Sequence, residues 1–223
     1  PVHLASNQEI QIASSSQLLA SVVLCTFNPN EDHLTKTLQA LREQTLPVTV
    51  WELILVDNNS DLPLEHRFPV TWHPNGKWVL ESEQGKVAAL RRAFSCTSAD
   101  LVVTIDDDNI PSPSYLATAV RIHDERPHLG AFGAGSTEAC YEAEPPSWFN
   151  PDIAAYLALR QVDHAMIFST LEGGENCRPW GLGLCITRQV ISAWLRQSNE
   201  IMESHPSLIG RKGTTLDDDL FSL

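Results

Sequence analysis

Three short, nearly unbroken apolar runs, SVVLC (21–25), WELILV (51–56) and LVVTI (101–105), each stop at a cluster of polar side chains. A strand that is apolar on both faces must be covered on both faces, which is the condition of a parallel sheet between two layers of helix. LGAFGA (129–134) reads as a further strand. The stretches between these runs have the period of helices. In NEDHLTKTLQALREQT (30–45), Leu34, Leu38 and Leu41 share one face, Asn30 stands at the N-cap, Glu31 and Asp32 occupy the first turn and Pro47 follows the end. GKVAALRRAF (85–94) aligns Val87, Leu90 and Phe94. In SPSYLATAVRIH (112–123), Ser112 is expected to cap, with Pro113 first in the helix and Leu116 and Val120 turned inward. Strand and helix in this alternation predict an α/β fold whose mainly parallel sheet is flanked by helices.

Beyond residue 136 the rhythm breaks. EACYEAEPPSWFNPD (138–152) and LEGGENCRPWG (171–181) read as long loops, and a last helix is expected from Thr187, with Val190, Ile191, Trp194 and Leu195 as its apolar stripe. A chain of 223 residues with this pattern predicts one domain over 1–223 with a loop-rich C-terminal part. The formal charge of -13 opposes a nucleic-acid backbone or an anionic membrane surface as the main partner. No apolar run approaches the length of about eighteen residues that a membrane span needs. The five cysteines form no C-x-x-C pair, which points away from a zinc site or disulfide framework and toward a reducing, cytoplasmic setting. The start at Pro1 has no apolar segment of signal-peptide type, and an acidic motif so close to Leu223 predicts a longer natural protein. Residues beyond that end are the place where an attachment to the inner face of the membrane would lie.

In an open parallel sheet, ligands bind beyond the carboxyl ends of the strands. That rule selects Thr26 and Asn28 in CTFNPN, Asp57, Asn58, Asn59 and Ser60 in DNNSD, and Asp106, Asp107 and Asp108 in DDDN. Carboxylates accept from base or ribose donors, and Asn and Ser complete such a set, although DNNSD taken alone is also an ordinary turn. Three adjacent carboxylates repel one another unless a positive charge sits among them. Hard oxygen ligands at this spacing suit Mg²⁺ or Mn²⁺ holding a diphosphate.

SVVLCTFNPN, WELILVDNNSD, GKVAALRRAF, VVTIDDDNIPSPSYL, RPWGLGLCITR and LDDDL stand in an order and spacing that resemble family 2 glycosyltransferases of the GT-A fold, from Ser21 to Leu220. The resemblance implies a GT-A-like, Rossmann-like sheet with a nucleotide-sugar-binding half over 1–135 and an acceptor-side half over 136–223. It implies that Asp57 meets the nucleotide base with Thr26, Asn28 and Asn59 nearby, and that Gly85 and Lys86 lie beside the donor. In the D-x-D element, Asp106 would hold the ribose or donor sugar, Asp106 and Asp108 the metal, and Asp107 would be the middle residue at the cofactor. On the acceptor side it implies Trp180 and Gly181 against a sugar, Asp217 as catalytic base with Asp218 as the alternative, and Asp219 as a second acid. Leu216 stands where the family often has an acid. The implied reaction is metal-dependent, inverting transfer from a UDP- or GDP-linked sugar to a carbohydrate or other hydroxyl acceptor. Two other readings remain open on the residues: a catalytically silent nucleotide- or sugar-binding domain, and a haloacid-dehalogenase-like phosphatase suggested by VVTIDDDNI.

Overall fold

The computed structural model describes residues 17–144, 146, 149, 159–162, 179 and 181–204. Its centre is a six-stranded sheet. The strands are β1 (Ala20–Thr26), β2 (Trp51–Asp57), β3 (Gly76–Leu80), β4 (Leu101–Ile105), β5 (Ala131–Phe132) and β8 (Cys185–Thr187), in the spatial order β3-β2-β1-β4-β8-β5. β3, β2, β1 and β4 run parallel, whereas β8 lies antiparallel between β4 and β5. Two short strands, β6 (Ser136–Thr137) and β7 (Arg160–Gln161), pair antiparallel by themselves.

The three apolar runs are the three inner parallel strands, and every residue of β2 is buried. Side chains alternate between two cores. Val22 and Leu24, Leu53 and Leu55, and Val103 and Ile105 meet helix α1 (Glu31–Arg42) through Leu34, Leu38 and Leu41, and helix α3 (Tyr115–Glu125) through Leu116 and Val120. Val23, Ile54, Val56 and Val102 face the other way onto Val87, Leu90 and Phe94 of α2 (Lys86–Cys96) and Ile191 and Trp194 of α4 (Arg188–Ser204). Asn30 caps α1 as expected, its Oδ1 accepting from the amides of Asp32 and His33 at 2.9 and 3.3 Å.

Two expectations are adjusted. α3 begins at Tyr115 with Ser114 as its cap residue, not at Pro113 after Ser112. The carbonyls of Ser112 and Pro113 are already engaged by Gln44 and Thr45, so the chain turns once before it coils. The last helix begins at Arg188, because Thr187 still pairs with Leu101. β3 did not stand out as an apolar run: it is an edge strand of mixed burial, and Gly76 is required where the loop crosses it. A Cβ there would stand 2.4 Å from the carbonyl oxygen of Val70.

At the amino ends of the strands, Glu52 is buried and accepts from Ser21 Oγ, Lys77 Nζ, Ser98 N and Ser98 Oγ. Burial works to raise its pKa, but these donors outweigh it and hold the carboxyl below its usual range. Nearby, His73 is buried against the rings of Trp51 and Trp72. Its Nδ1 accepts from the Asn75 amide at 3.1 Å, which places the neutral ring's proton on Nε2, an atom with no hydrogen-bond partner among the described residues. Burial lowers the His73 pKa from 6.5 to about 4, against the pull of Glu52.

The unfolded chain therefore binds the His73 proton more readily than the folded one, and stability present above pH 6.5 is lost as pH falls toward about 4. Urea midpoints measured at pH 7 and pH 5 should fall more for the wild-type chain than for His73→Gln. Equal pH sensitivity of the two would remove His73 from the acid response.

Candidate active site

The parallel register brings the carboxyl ends of β1, β2 and β4 level. Thr26 is opposite Asp57, and Leu24 is opposite Ile105, so the residue beside Thr26 on the β4 side is Asp107. β1 and β4 are the pair between which the strand order reverses, the position where open α/β sheets leave a crevice.

The three carboxylates of 106–108 are separated by direction. Asp107 turns into the protein, where its Oδ2 accepts from Thr26 Oγ1 and its backbone carbonyl from Thr37 Oγ1 of α1 at 3.1 Å. Burial pushes the Asp107 carboxyl above its usual range; the Thr26 hydrogen bond opposes this and the neighbouring Asp108 charge adds to it. Asp106 and Asp108 face outward. Asp106 Oδ1 lies 3.7 Å from Lys86 Nζ, and Asp108 Oδ1 accepts from Asn109 Nδ2 at 3.0 Å. Asn109 also fastens the turn, its Oδ1 accepting from the Asp106 amide at 3.3 Å. Beneath them, burial above all, with the Asp106 charge adding to it, raises the Cys25 thiol to about 12, so it stays protonated.

The loops after β1 and β2 are joined. Asn28 Nδ2 donates to Asp61 Oδ2 at 2.9 Å, Asn28 Oδ1 accepts from the Asp61 amide at 2.8 Å, and the Asn28 amide donates to Ser60 Oγ at 2.9 Å. Asn28 and Asn59 adopt left-handed backbone conformations, with φ of 46° and 62°. Asn tolerates this region better than most residues, and such outliers concentrate at functional sites. Asp57 is buried and accepts from the Ser60 amide at 2.9 Å through Oδ1. Gly85, at φ 137°, opens α2 and sets Lys86 toward Asp106.

On the other side of β4, the Thr104 amide and hydroxyl both donate to the Leu184 carbonyl, so the turn at 181–184 sits beside the D-x-D element. Tyr115 donates to the Gly183 carbonyl. At φ 69°, Gly183 has no room for a side chain, since a Cβ would stand 2.5 Å from the Tyr115 hydroxyl.

The structure thus brings Thr26, Asn28, Asp57, Asn59, Gly85, Lys86, Asp106, Asp107, Asp108 and Gly181 to one end of the sheet. Trp180, Asp217, Asp218 and Asp219 lie outside the described residues, as does Leu216. Thr37, Asn109 and Tyr115 belong to the site's scaffold without having been singled out. A threonine on the Leu34, Leu38 and Leu41 face of α1 and an Asn directly after the acidic triplet are the sequence signals that could have pointed to the first two.

Among the described residues no group of three or more His, Cys, Asp or Glu side chains is arranged to hold a metal by itself. Two outward carboxylates fit a cation that takes its other ligands from water and substrate oxygens, which is the habit of Mg²⁺ and Mn²⁺.

The model of glycosyl transferase family 2 matches residues 21–139, more than half of the chain, and the chain belongs to that family. Curated protein sequences give no match. Among solved structures, S. aureus TarS 1-349 is similar with a TM-score of 0.63 at 18% identity, over 91% of this chain and 53% of that one. The same protein in complex with UDP-GlcNAc gives 0.57 at 19%, over 81% and 47%. The mannosyltransferase PcManGT from Pyrobaculum calidifontis, in complex with GDP-Man and Mn²⁺, gives 0.56 at 21%, over 82% and 49%. At these identities the likeness establishes the fold, a GT-A-like mixed α/β sheet flanked by helices. The chain spans about half the length of each of these proteins. Family membership sets aside the phosphatase reading, and three strands precede the Asp triplet where that fold would place its nucleophile on the first.

Replacing Thr26 by Val removes the side-chain donor to a half-buried carboxylate, a loss of about 1–3 kcal/mol. Urea denaturation of Thr26→Val at pH 7 checks this. A midpoint equal to that of the wild-type chain would mean that the Thr26–Asp107 bond does not hold β1 to β4.

Proposed function

We propose that this chain is the catalytic domain, in whole or part, of an enzyme that transfers a sugar from a nucleoside-diphosphate sugar to an acceptor hydroxyl. One juxtaposition carries the reading: in a chain of this family, Asp57 after β2, Asp106 and Asp108 after β4 and Lys86 at the start of α2 gather at the carboxyl end of one parallel sheet. Proteins of the same fold solved with UDP-GlcNAc and with GDP-Man and Mn²⁺ support a donor of that class.

In this reading residues 1–135 would be the donor half and 136–223 the acceptor half. Asp57 receives a base donor, with Thr26, Asn28 and Asn59 shaping the walls of the base pocket. Asp106 serves the ribose or donor sugar, Asp107 holds its turn in place, and Lys86 with Gly85 lies along the diphosphate. Asp106 and Asp108 would hold Mg²⁺ or Mn²⁺, which when bound supplies positive charge to the diphosphate as a Lewis acid. The Lys86 ammonium contributes to the same neutralisation, a charge the strongly acidic chain must supply locally.

Transfer proceeds with inversion. The acceptor oxygen forms its bond to the anomeric carbon as the bond from that carbon to the diphosphate oxygen breaks. The electron pair of the broken bond leaves with the nucleoside diphosphate, and the hydroxyl proton passes to the Asp217 carboxylate as general base. Asp218 is the alternative base, Asp219 the second acid, and Trp180 with Gly181 receives the acceptor, apolar C–H faces of sugars suiting an aromatic ring.

Two measurements test the reading. Calorimetric titration with UDP and with GDP, each with and without Mn²⁺, should give tight binding of one nucleotide that weakens at least about tenfold without the metal and in Asp108→Ala. Metal-independent binding, unchanged in that variant, would remove the metal from Asp108. Asp217→Asn should retain nucleotide binding and lower transfer by about 10²–10⁴-fold, the usual contribution of a general base. Near wild-type transfer in Asp217→Asn, with the corresponding loss in Asp218→Asn, would move the base by one residue. Binding without turnover of any nucleotide-sugar, including its hydrolysis, would favour the silent-scaffold reading that Leu216 suggests.

A further inference from the structure

Asn58 follows the residue placed at the nucleotide base, yet its side chain is fully used by the protein. It is buried, and its amide makes three hydrogen bonds to one short segment. Nδ2 donates to the carbonyls of Glu81 and Glu83 at 3.3 and 2.6 Å, and Oδ1 accepts from the Gly85 amide at 2.7 Å. Both donors of the amide are consumed, so none remains for a ligand. The bonded segment is the one that leaves β3 and opens α2, and its next residue is Lys86. Two further ties run alongside: the Glu81 amide donates to the Asp57 carbonyl at 2.9 Å, and Gln84 Nε2 to the Asn59 carbonyl at 3.3 Å.

We infer that Asn58 is a positioning residue that acts through Gly85 to set Lys86 against the diphosphate side of the site. The inference rests on the donor-site reading above and deepens it. Gly85 sits at φ 137°, a conformation that has to be held by its surroundings, and the Asn58 carbonyl oxygen holds its amide. Lys86 is the first residue of the helix that follows, and its long, half-exposed side chain reaches Asp106 at 3.7 Å. Asp57 and Asn58 are adjacent in β2 and its exit, so the carboxylate at the base and the staple under the lysine move as one piece. The distance between base and phosphate contacts is in this way fixed by the strand end and not by a free loop.

A double-mutant cycle tests the route through Lys86, with UDP and GDP in the presence of Mn²⁺ as probes. Asn58→Ala and Lys86→Ala should each weaken binding of the nucleotide that the wild-type chain prefers by about tenfold, the scale of one lost charged contact. The double variant should bind about as weakly as either single one, because both changes remove the same contact. Hydrogen exchange of the unliganded chain should show a faster Gly85 amide in Asn58→Ala while the amides of β1 and β2 keep their protection. Unchanged nucleotide affinity in Asn58→Ala, or losses that multiply in the double variant, would overturn the role. If the alanine variant does not fold, Asn58→Ser, which is neutral and one bond too short to make the same three hydrogen bonds, is measured in its place, with the same outcomes expected. Failure of the wild-type chain to bind either nucleotide would overturn the donor-site reading and this role with it, and that is seen before any variant is made.

Discussion

The site depends on the register of one strand. β1 is paired in parallel on both sides, with β2 residue for residue from Ala20 to Thr26 and with β4 from Ser21 to Leu24. Because side chains alternate with a period of two, a slip of one residue would turn Val22 and Leu24 out of the α1 core and Val23 out of the α2 core. The burial of both faces therefore fixes the register, and the register brings Thr26, Asp57 and Asp107 to the same height. No separate device is needed to bring the polar ends together, since they stop where the apolar runs stop.

Both ends of that register are tied by side chains. At the amino ends, Glu52 of β2 takes hydrogen bonds from Ser21 of β1 and from Ser98 just before β4, with Lys77 of β3 as its ion-pair partner. A carboxylate so buried is tolerable only because each of the neighbouring strands brings a donor to it. At the carboxyl ends, Thr26 and Thr37 hold Asp107. The two carboxylates do the same work at opposite ends of the sheet. The difference is that Glu52 is closed off, whereas Asp107 has Asp106 and Asp108 beside it in contact with solvent.

What was readable from the sequence follows the strength of the local pattern. The three inner strands, α1 and α2 were legible because apolar runs and helical stripes have no other stable use in a chain of this composition. β3 was not, since GKWVL is a five-residue edge strand with a lysine in it, and its pairing with β2 is decided by the loop that folds over Gly76. The start of α3 lies later than Ser112 and Pro113 favour locally, because the carbonyls of these two residues are held by Gln44 and Thr45 from another part of the chain. The donor-side residues were legible because strand ends can be found from strand runs. The inward turn of Asp107 was not, because direction within three identical residues is set by Thr26 and Thr37, neither of them near in sequence.

A row of three aspartates at a strand end thus reduces to one half-buried carboxylate turned inward and two turned toward solvent. With Asp107 turned inward, burial above all, with the Asp108 charge adding to it, pushes its carboxyl above the usual range, against the hydrogen bond from Thr26. Asp106 has Lys86 within 3.7 Å, and Asp108 has the amide of Asn109 at 3.0 Å. The middle residue must be able to accept from Thr26, and its neighbours must not. That division of labour, rather than the count of negative charges, is what the proposed cation and diphosphate site rests on.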